Sequence, residues 1–112
     1  MTRIQKLTVE DLPKPQEVQK HVCCLYVIQE GDESYFKIGI AGHVLRRQTI
    51  LQSGNRRRLK LVAAYAGTRA NCLFVENVAL KFFKASPSSS WVSVECVSDI
   101  TDFLDAFCGG DA

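Results

Sequence analysis

Residues 21–40 read HVCCLYVIQEGDESYFKIGI, and this stretch decides the fold. His21–Gln29 is dense in Val, Cys, Leu, Tyr and Ile, while Ser34–Ile40 alternates large and small residues. Both halves have the character of strands, and Gly31-Asp32 between them is a turn signal, so the segment predicts a β-hairpin. Closed on Gly31-Asp32 as a two-residue loop, the hairpin sets Tyr26 directly opposite Lys37. Directly opposed residues share a face with Cβ atoms about 5 Å apart. Gly39, two residues beyond Lys37, would leave open space on that same face.

Downstream, the pattern changes period. His43–Ser53 predicts a helix stopped by Gly54-Asn55, and Leu59–Tyr65 a third, buried strand closed by Gly67. Thr68 is placed to cap a helix from Arg69 to Lys84, which ends in the Ser86–Ser90 loop around Pro87. Trp91–Cys96 alternates as a short strand. Ser98 precedes a last helix in which Ile100, Phe103, Leu104 and Phe107 recur at helical spacing, closed by Gly109-Gly110. The order β-β-α-β-α-β-α predicts an α+β fold, an α/β sandwich whose small, mainly antiparallel sheet grows from the N-terminal hairpin and is flanked by helices. Residues 1–20, with Pro13 and Pro15 and no sustained period, read as an extension. Residues 21–108 read as one domain and 109–112 as a tail.

Composition fits this picture. The chain has 112 residues, 46% hydrophobic and 23% charged, as in ordinary globular domains. No apolar run is long enough to span a bilayer, and the first residues lack the apolar core of a secretory signal, so a cytoplasmic location is expected. The cysteines, Cys23, Cys24, Cys72, Cys96 and Cys108, are odd in number and lack C-x-x-C spacing, which points to free thiols.

Charge is unevenly distributed. Between Lys37 and Arg69 lie Lys37, Arg46, Arg47, Arg56, Arg57, Arg58, Lys60 and Arg69, with no acid except beyond that span. Glu95, Asp99, Asp102, Asp105 and Asp111 occupy the last eighteen residues without a base. A basic block set against an acidic tail favours a polyanionic partner, and nucleic acid is expected, with DNA ahead of RNA. His43, Arg46, Arg56, Arg57, Arg58 and Lys60 are the candidate contacts.

Four residues carry chemistry. Tyr26 and Lys37 would place a phenol beside an ammonium, although taken alone they would also suit an ordinary surface pair. Arg47, three residues after Val44 and four before Leu51, falls on the apolar stripe facing the sheet, where a guanidinium needs an anion. Glu76 is the only acid between Glu33 and Glu95, and Cys72, Leu73, Ala79 and Leu80 surround it at helical spacing. A carboxylate so placed must pair with a cation such as Arg47 or Lys37, or hold a metal. A single carboxylate suits Mg²⁺, which keeps most of its waters and borrows phosphate oxygens. No Ser-His-Asp order, glycine-rich phosphate loop or H-E-x-x-H is present.

In series, Cys24-Leu25-Tyr26, Lys37-Ile38-Gly39-Ile40-Ala41, Arg46-Arg47, Leu51-Gln52-Ser53-Gly54-Asn55, Leu59-Lys60-Leu61, Glu76 and Trp91 resemble the GIY-YIG nuclease superfamily, in its phage-type branch with a KIG second motif. The resemblance covers about seventy residues in the correct order. It implies a metal-dependent endonuclease in which Tyr26 and Lys37 orient or deprotonate the attacking water. It further implies that Arg47 holds the scissile phosphate and Glu76 binds Mg²⁺ (or Mn²⁺). Leu80 and Ser90 stand where that branch carries histidine and glutamate, which motivates an alternative: a module of the same fold that binds nucleic acid, or a protein partner through Trp91 and the acidic last helix, without cleavage.

Overall fold

The computed structural model describes residues 3–18, 22–85 and 89–108. His21, the centre of the Ser86–Ser90 loop and the tail from Gly109 lie outside the described residues. The elements are β1 (Gln5–Leu7), β2 (Cys23–Glu30), β3 (Tyr35–Ala41), α1 (Val44–Ser53), β4 (Leu59–Gly67), α2 (Arg69–Phe82), β5 (Trp91–Ser93) and α3 (Val97–Asp105). The strands form one antiparallel sheet in the order β1-β4-β2-β3-β5. The expected α+β class is therefore the observed one.

The hairpin forms, but its register differs from the expected one. β2 and β3 are joined by residues 31–34, and Tyr26 pairs with Gly39, while Lys37 pairs with Ile28. Gly31 adopts φ 57°, and the Glu33 N–H donates to the Glu30 carbonyl at 3.0 Å. Asp32 therefore sits inside a four-residue loop instead of closing a two-residue one. The displacement is two residues, so every side chain keeps its face. Tyr26 and Lys37 remain on the same side, now diagonal to each other.

Two apolar layers cover the sheet. On one face α2 and α3 contribute Cys72, Val75, Ala79, Ile100 and Leu104, packed on Leu25, Val27, Phe36, Ile38 and Tyr65. On the other, Tyr26, Cys24, Ile28, Ala41, Ala64 and Ala66 lie beneath Val44 of α1. Every residue of β2 from Cys23 to Ile28 is buried, because the central strand is covered on both faces. A bulge separates Val27↔Ala63 from Ile28↔Leu61 in the β2–β4 ladder, making Val62 the unpaired residue. Val62 and Ala63 then both face α2 and α3, while Leu61 and Ala64 face α1.

The segment set apart as an extension is part of the folded core. Ile4 and Leu12 are 3% and 6% exposed, Leu7 is buried, and β1 pairs along β4. The Ile4 N–H donates to the Phe107 carbonyl at 3.1 Å, and Lys6 pairs with Asp105 at 3.2 Å, tying β1 to the end of α3. The Tyr65 hydroxyl also donates to Asp105, at 2.7 Å. The final helix starts two residues earlier than expected, with Cys96 and not Ser98 at its N-cap.

Burial fixes the state of the inner cysteines. All five are free, and Cys23, Cys24 and Cys72 are buried. Desolvation pushes the Cys24 thiol up to about 11 and the Cys72 thiol up to about 12, with neighbouring cysteines adding to the rise. Both stay protonated, as small core hydrophobes do. No helix among the described residues is long and apolar enough to cross a membrane.

Leu12 provides the sharpest check on the N-terminal segment. Leu12→Ala should cost about 2–4 kcal/mol of unfolding free energy, as truncation of a core leucine does. Urea denaturation monitored by circular dichroism will read this directly. A loss within about 0.5 kcal/mol, the usual range for a surface substitution, would show that the segment does not belong to the core.

Candidate functional site

The geometry begins at Gly39. A Cβ built there would lie 2.5 Å from the Tyr26 Oη and 2.7 Å from its Cζ, both inside any real contact distance. The open space expected at Gly39 is therefore filled by the Tyr26 phenol. Across the ladder, Ala64 flanks Tyr26 on its other side, so the ring lies in a slot between two of the smallest residues. Tyr26 is 1% exposed.

Four elements bring the four candidate residues into one neighbourhood. Desolvation raises the Tyr26 pKa above its usual 10.0. The Arg47 charge and hydrogen bond pull it back, and the Glu76 charge adds to the rise. Burial lowers the Lys37 pKa from 10.5, the Glu76 charge opposes that fall and the Arg47 charge reinforces it. Glu76 is raised from 4.5 by burial, against the charges of Lys37 and Arg69. Tyr26 and Lys37 thus lie within the fields of both Arg47 and Glu76, and the helix carrying Glu76 packs on β2 and β3.

Arg47 differs from its expected placement. Val44 is the fully buried residue of α1, and Arg47 itself is exposed. An arginine at the rim of a covered strip keeps its head in water while its stem follows the surface. Its charge nevertheless acts on the Tyr26 hydroxyl, opposing the rise that burial causes. Among the described residues Glu76 forms no ion pair with Arg47 or Lys37. It acts on Lys37 through its field.

The basic block divides into separate uses. His43 caps α1: its Nδ1 accepts from the Arg46 N–H at 3.3 Å, and its Nε2 contacts the Glu17 carbonyl at 3.1 Å. Arg46 donates through Nε to the Pro15 carbonyl at 2.9 Å and through a terminal nitrogen to the Glu17 carbonyl at 3.3 Å. Both residues, candidate nucleic-acid contacts, here hold the N-terminal segment against α1, and His43 is the cap of that helix. Arg57 pairs with Glu30 and Glu33 at 3.8 and 3.5 Å, and Lys60 with Asp32 at 2.6 Å. Arg56 and Arg58 are left without an ion pair among the described residues and line a groove with Gln48, Thr49 and Gln52.

Two features had no part in the expected site. Gln52 fastens the loop after α1: its amide donates to the Arg57 carbonyl at 2.9 Å, and its carbonyl accepts from Leu59 N–H at 2.7 Å. Tyr35 stacks on Trp91 with centroids 4.9 Å apart and planes 12° from parallel. The alternation Tyr35, Lys37, Gly39 along one strand carries the signal for Tyr35, since all three share a face.

A metal could be held by Glu76. Among the described residues no group of three or more His, Cys, Asp or Glu could enclose a cation. The half-buried Glu76 carboxylate, within the field of Lys37, fits a hydrated Mg²⁺ that completes its shell with water and substrate oxygens. Comparison of the chain with family models, curated proteins and solved structures finds no match.

The contact between Tyr26 and Gly39 can be tested by a double-mutant cycle. Gly39→Ala should cost about 1–3 kcal/mol, as overpacking a core does. In a Tyr26→Ala background the same substitution should cost much less, because the clashing atoms are gone. Equal costs in the two backgrounds would mean that the ring does not occupy the Gly39 position.

Proposed function

We propose that the protein is a metal-dependent endonuclease of GIY-YIG type that hydrolyses phosphodiester bonds in nucleic acid, DNA ahead of RNA. The observation that carries this is that Tyr26, packed on Gly39, and Lys37 both lie within the fields of Arg47 and Glu76. The set contains a cation for the phosphate, an amine whose proton affinity is lowered, and a lone carboxylate.

The directions of the pKa shifts divide the roles. Tyr26 is buried and its proton is held more tightly than usual, which makes it a poor base. It serves as a positioning residue, a neutral phenol held in the field of Arg47. Arg47 presents paired N–H donors to the phosphate, the geometry in which arginine binds oxyanions best. Lys37 moves in the favourable direction: burial makes its ammonium easier to deprotonate. Its neutral amine is the candidate base for the attacking water. Glu76 would hold the divalent cation, and a bound Mg²⁺ supplies charge neutralisation at the leaving oxygen.

Leu80 and Ser90 support a second reading, a module of this fold that binds nucleic acid without cutting it. Incubation of plasmid and oligonucleotide with the protein and Mg²⁺ or Mn²⁺ separates the two. Cleavage is expected, falling by about 10²–10³-fold in Arg47→Ala, as for loss of one group that stabilises the transition state, and at least as far in Glu76→Ala. Cleavage that persists in Glu76→Ala removes the metal role, and binding by an uncut wild-type complex favours the second reading.

A pH profile tests Lys37. Cleavage should rise as Glu76 ionises, at a pH above 4.5, and rise again toward a pKa below 10.5 as the Lys37 amine is freed. Lys37→Arg cannot be deprotonated in this range, so its profile should lose the alkaline limb. An unchanged alkaline limb in Lys37→Arg would exclude Lys37 as the base.

A further inference from the structure

The outer edge of the sheet carries an aromatic platform that the proposed chemistry does not use. Trp91 pairs with Lys37 in the β3–β5 ladder, and Tyr35 lies one rung along the same face. The Tyr35 and Trp91 rings are 4.9 Å apart and nearly parallel, and the Lys37 Nζ lies 5.9 Å from the Trp91 centroid. Along one row the chain thus places an exposed tyrosine, a half-buried tryptophan, the Lys37 ammonium and the Tyr26–Gly39 contact. Tyr35 is 38% exposed, and β5 is the last strand on that side.

We infer that the Tyr35–Trp91 pair is a stacking platform for an unpaired nucleobase next to the scissile phosphate, giving the enzyme a preference for single-stranded segments. The inference rests on the nuclease reading for the position of the phosphate, but not for the platform itself. Every base presents a π face, so stacking on an aromatic residue accepts any sequence, and it adds to the hold that cations exert on the backbone. A phosphate at Lys37 and Arg47 carries its neighbouring base within one or two nucleotide lengths of the Tyr35 ring. A base within a duplex cannot stack there without leaving its own stack, at a cost of a few kcal/mol, whereas a single strand or frayed end meets no such barrier. A cross-strand aromatic pair that only stabilises the sheet predicts a different pattern: loss of stability on truncation, without any effect on single-strand affinity.

Trp91 is the only tryptophan in the chain, so its fluorescence reports the platform directly. The experiment uses the full chain carrying Glu76→Ala, titrated with a twelve-residue oligothymidylate, the matching oligouridylate and a duplex of equal length. Expected are quenching of Trp91 by the single strands, a much smaller change with the duplex, and affinity for the single strand weakened about tenfold by Tyr35→Ala, as for loss of one stacked base. Tyr35→Phe should restore the affinity, and the relative response to the two single strands shows whether the sugar matters. Equal quenching by duplex and single strand, no binding of either, or a Tyr35→Ala variant that binds as tightly as its parent overturns the platform. Quenching by single strands that wild-type protein with Mg²⁺ leaves uncut removes the nuclease reading and keeps the platform. Cleavage that is indifferent to Tyr35→Ala and to strandedness does the reverse.

Discussion

The site depends on one steric relation, the Tyr26 phenol lying where a side chain at position 39 would be. A large ring needs a slot, and the sheet supplies one because Gly39 and Ala64 flank Tyr26 on the two neighbouring strands. Any larger residue at 39 would push the ring out of a position in which it is buried almost completely. With the ring fixed, its hydroxyl is held at one place on the sheet, within the field of Arg47, which is exposed on α1. The steric contact thus sets where the phenol meets that charge.

Much of the fold was legible in the residues, for an identifiable reason. Central strands read as continuous apolar runs, and the last helix spaces Ile100, Leu104 and their neighbours by turns, so hydrophobic period alone locates them. Register is another matter. Gly31 accepts a positive φ in a two-residue or a longer loop, and nothing local separates the two, so the expected pairing missed by two residues. Because the slip was even, Tyr26 and Lys37 kept their shared face and the site survived the error. Ile4, Leu7 and Leu12 were missed because they are spaced 3 and 5 apart, matching no regular period. Each is buried by partners distant in sequence, including Phe107 near the other end of the described chain.

Charge was legible in amount but not in allocation. Eight bases in a span without a flanking acid mark a positive region, yet hairpin acids that lie earlier in the chain fold back onto Arg57 and Lys60. Such exposed pairs contribute little to stability, though they do reduce the local field. Arg46 and His43 are turned to backbone carbonyls of residues 15 and 17, a use that no charge count could reveal. Of the eight, Lys37, Arg47, Arg56, Arg58 and Arg69 form no ion pair among the described residues, and Arg47, Arg56 and Arg58 lie on or just after α1. A polyanion attracted to this chain would meet its strongest attraction along that helix and not across the whole basic block.

The lone acid in the site follows from the same balance. Lys37 and Arg47 bring two positive charges to the edge of β3, and Glu76 brings one negative charge, leaving one positive charge in excess. In the proposed reading, a phosphodiester with its one negative charge would offset that excess before a metal binds and before Lys37 gives up its proton. A second carboxylate would cancel that excess and raise the Lys37 pKa further against the desolvation that lowers it. A single glutamate tempers the Lys37 charge and still leaves a positive excess, which favours an anion.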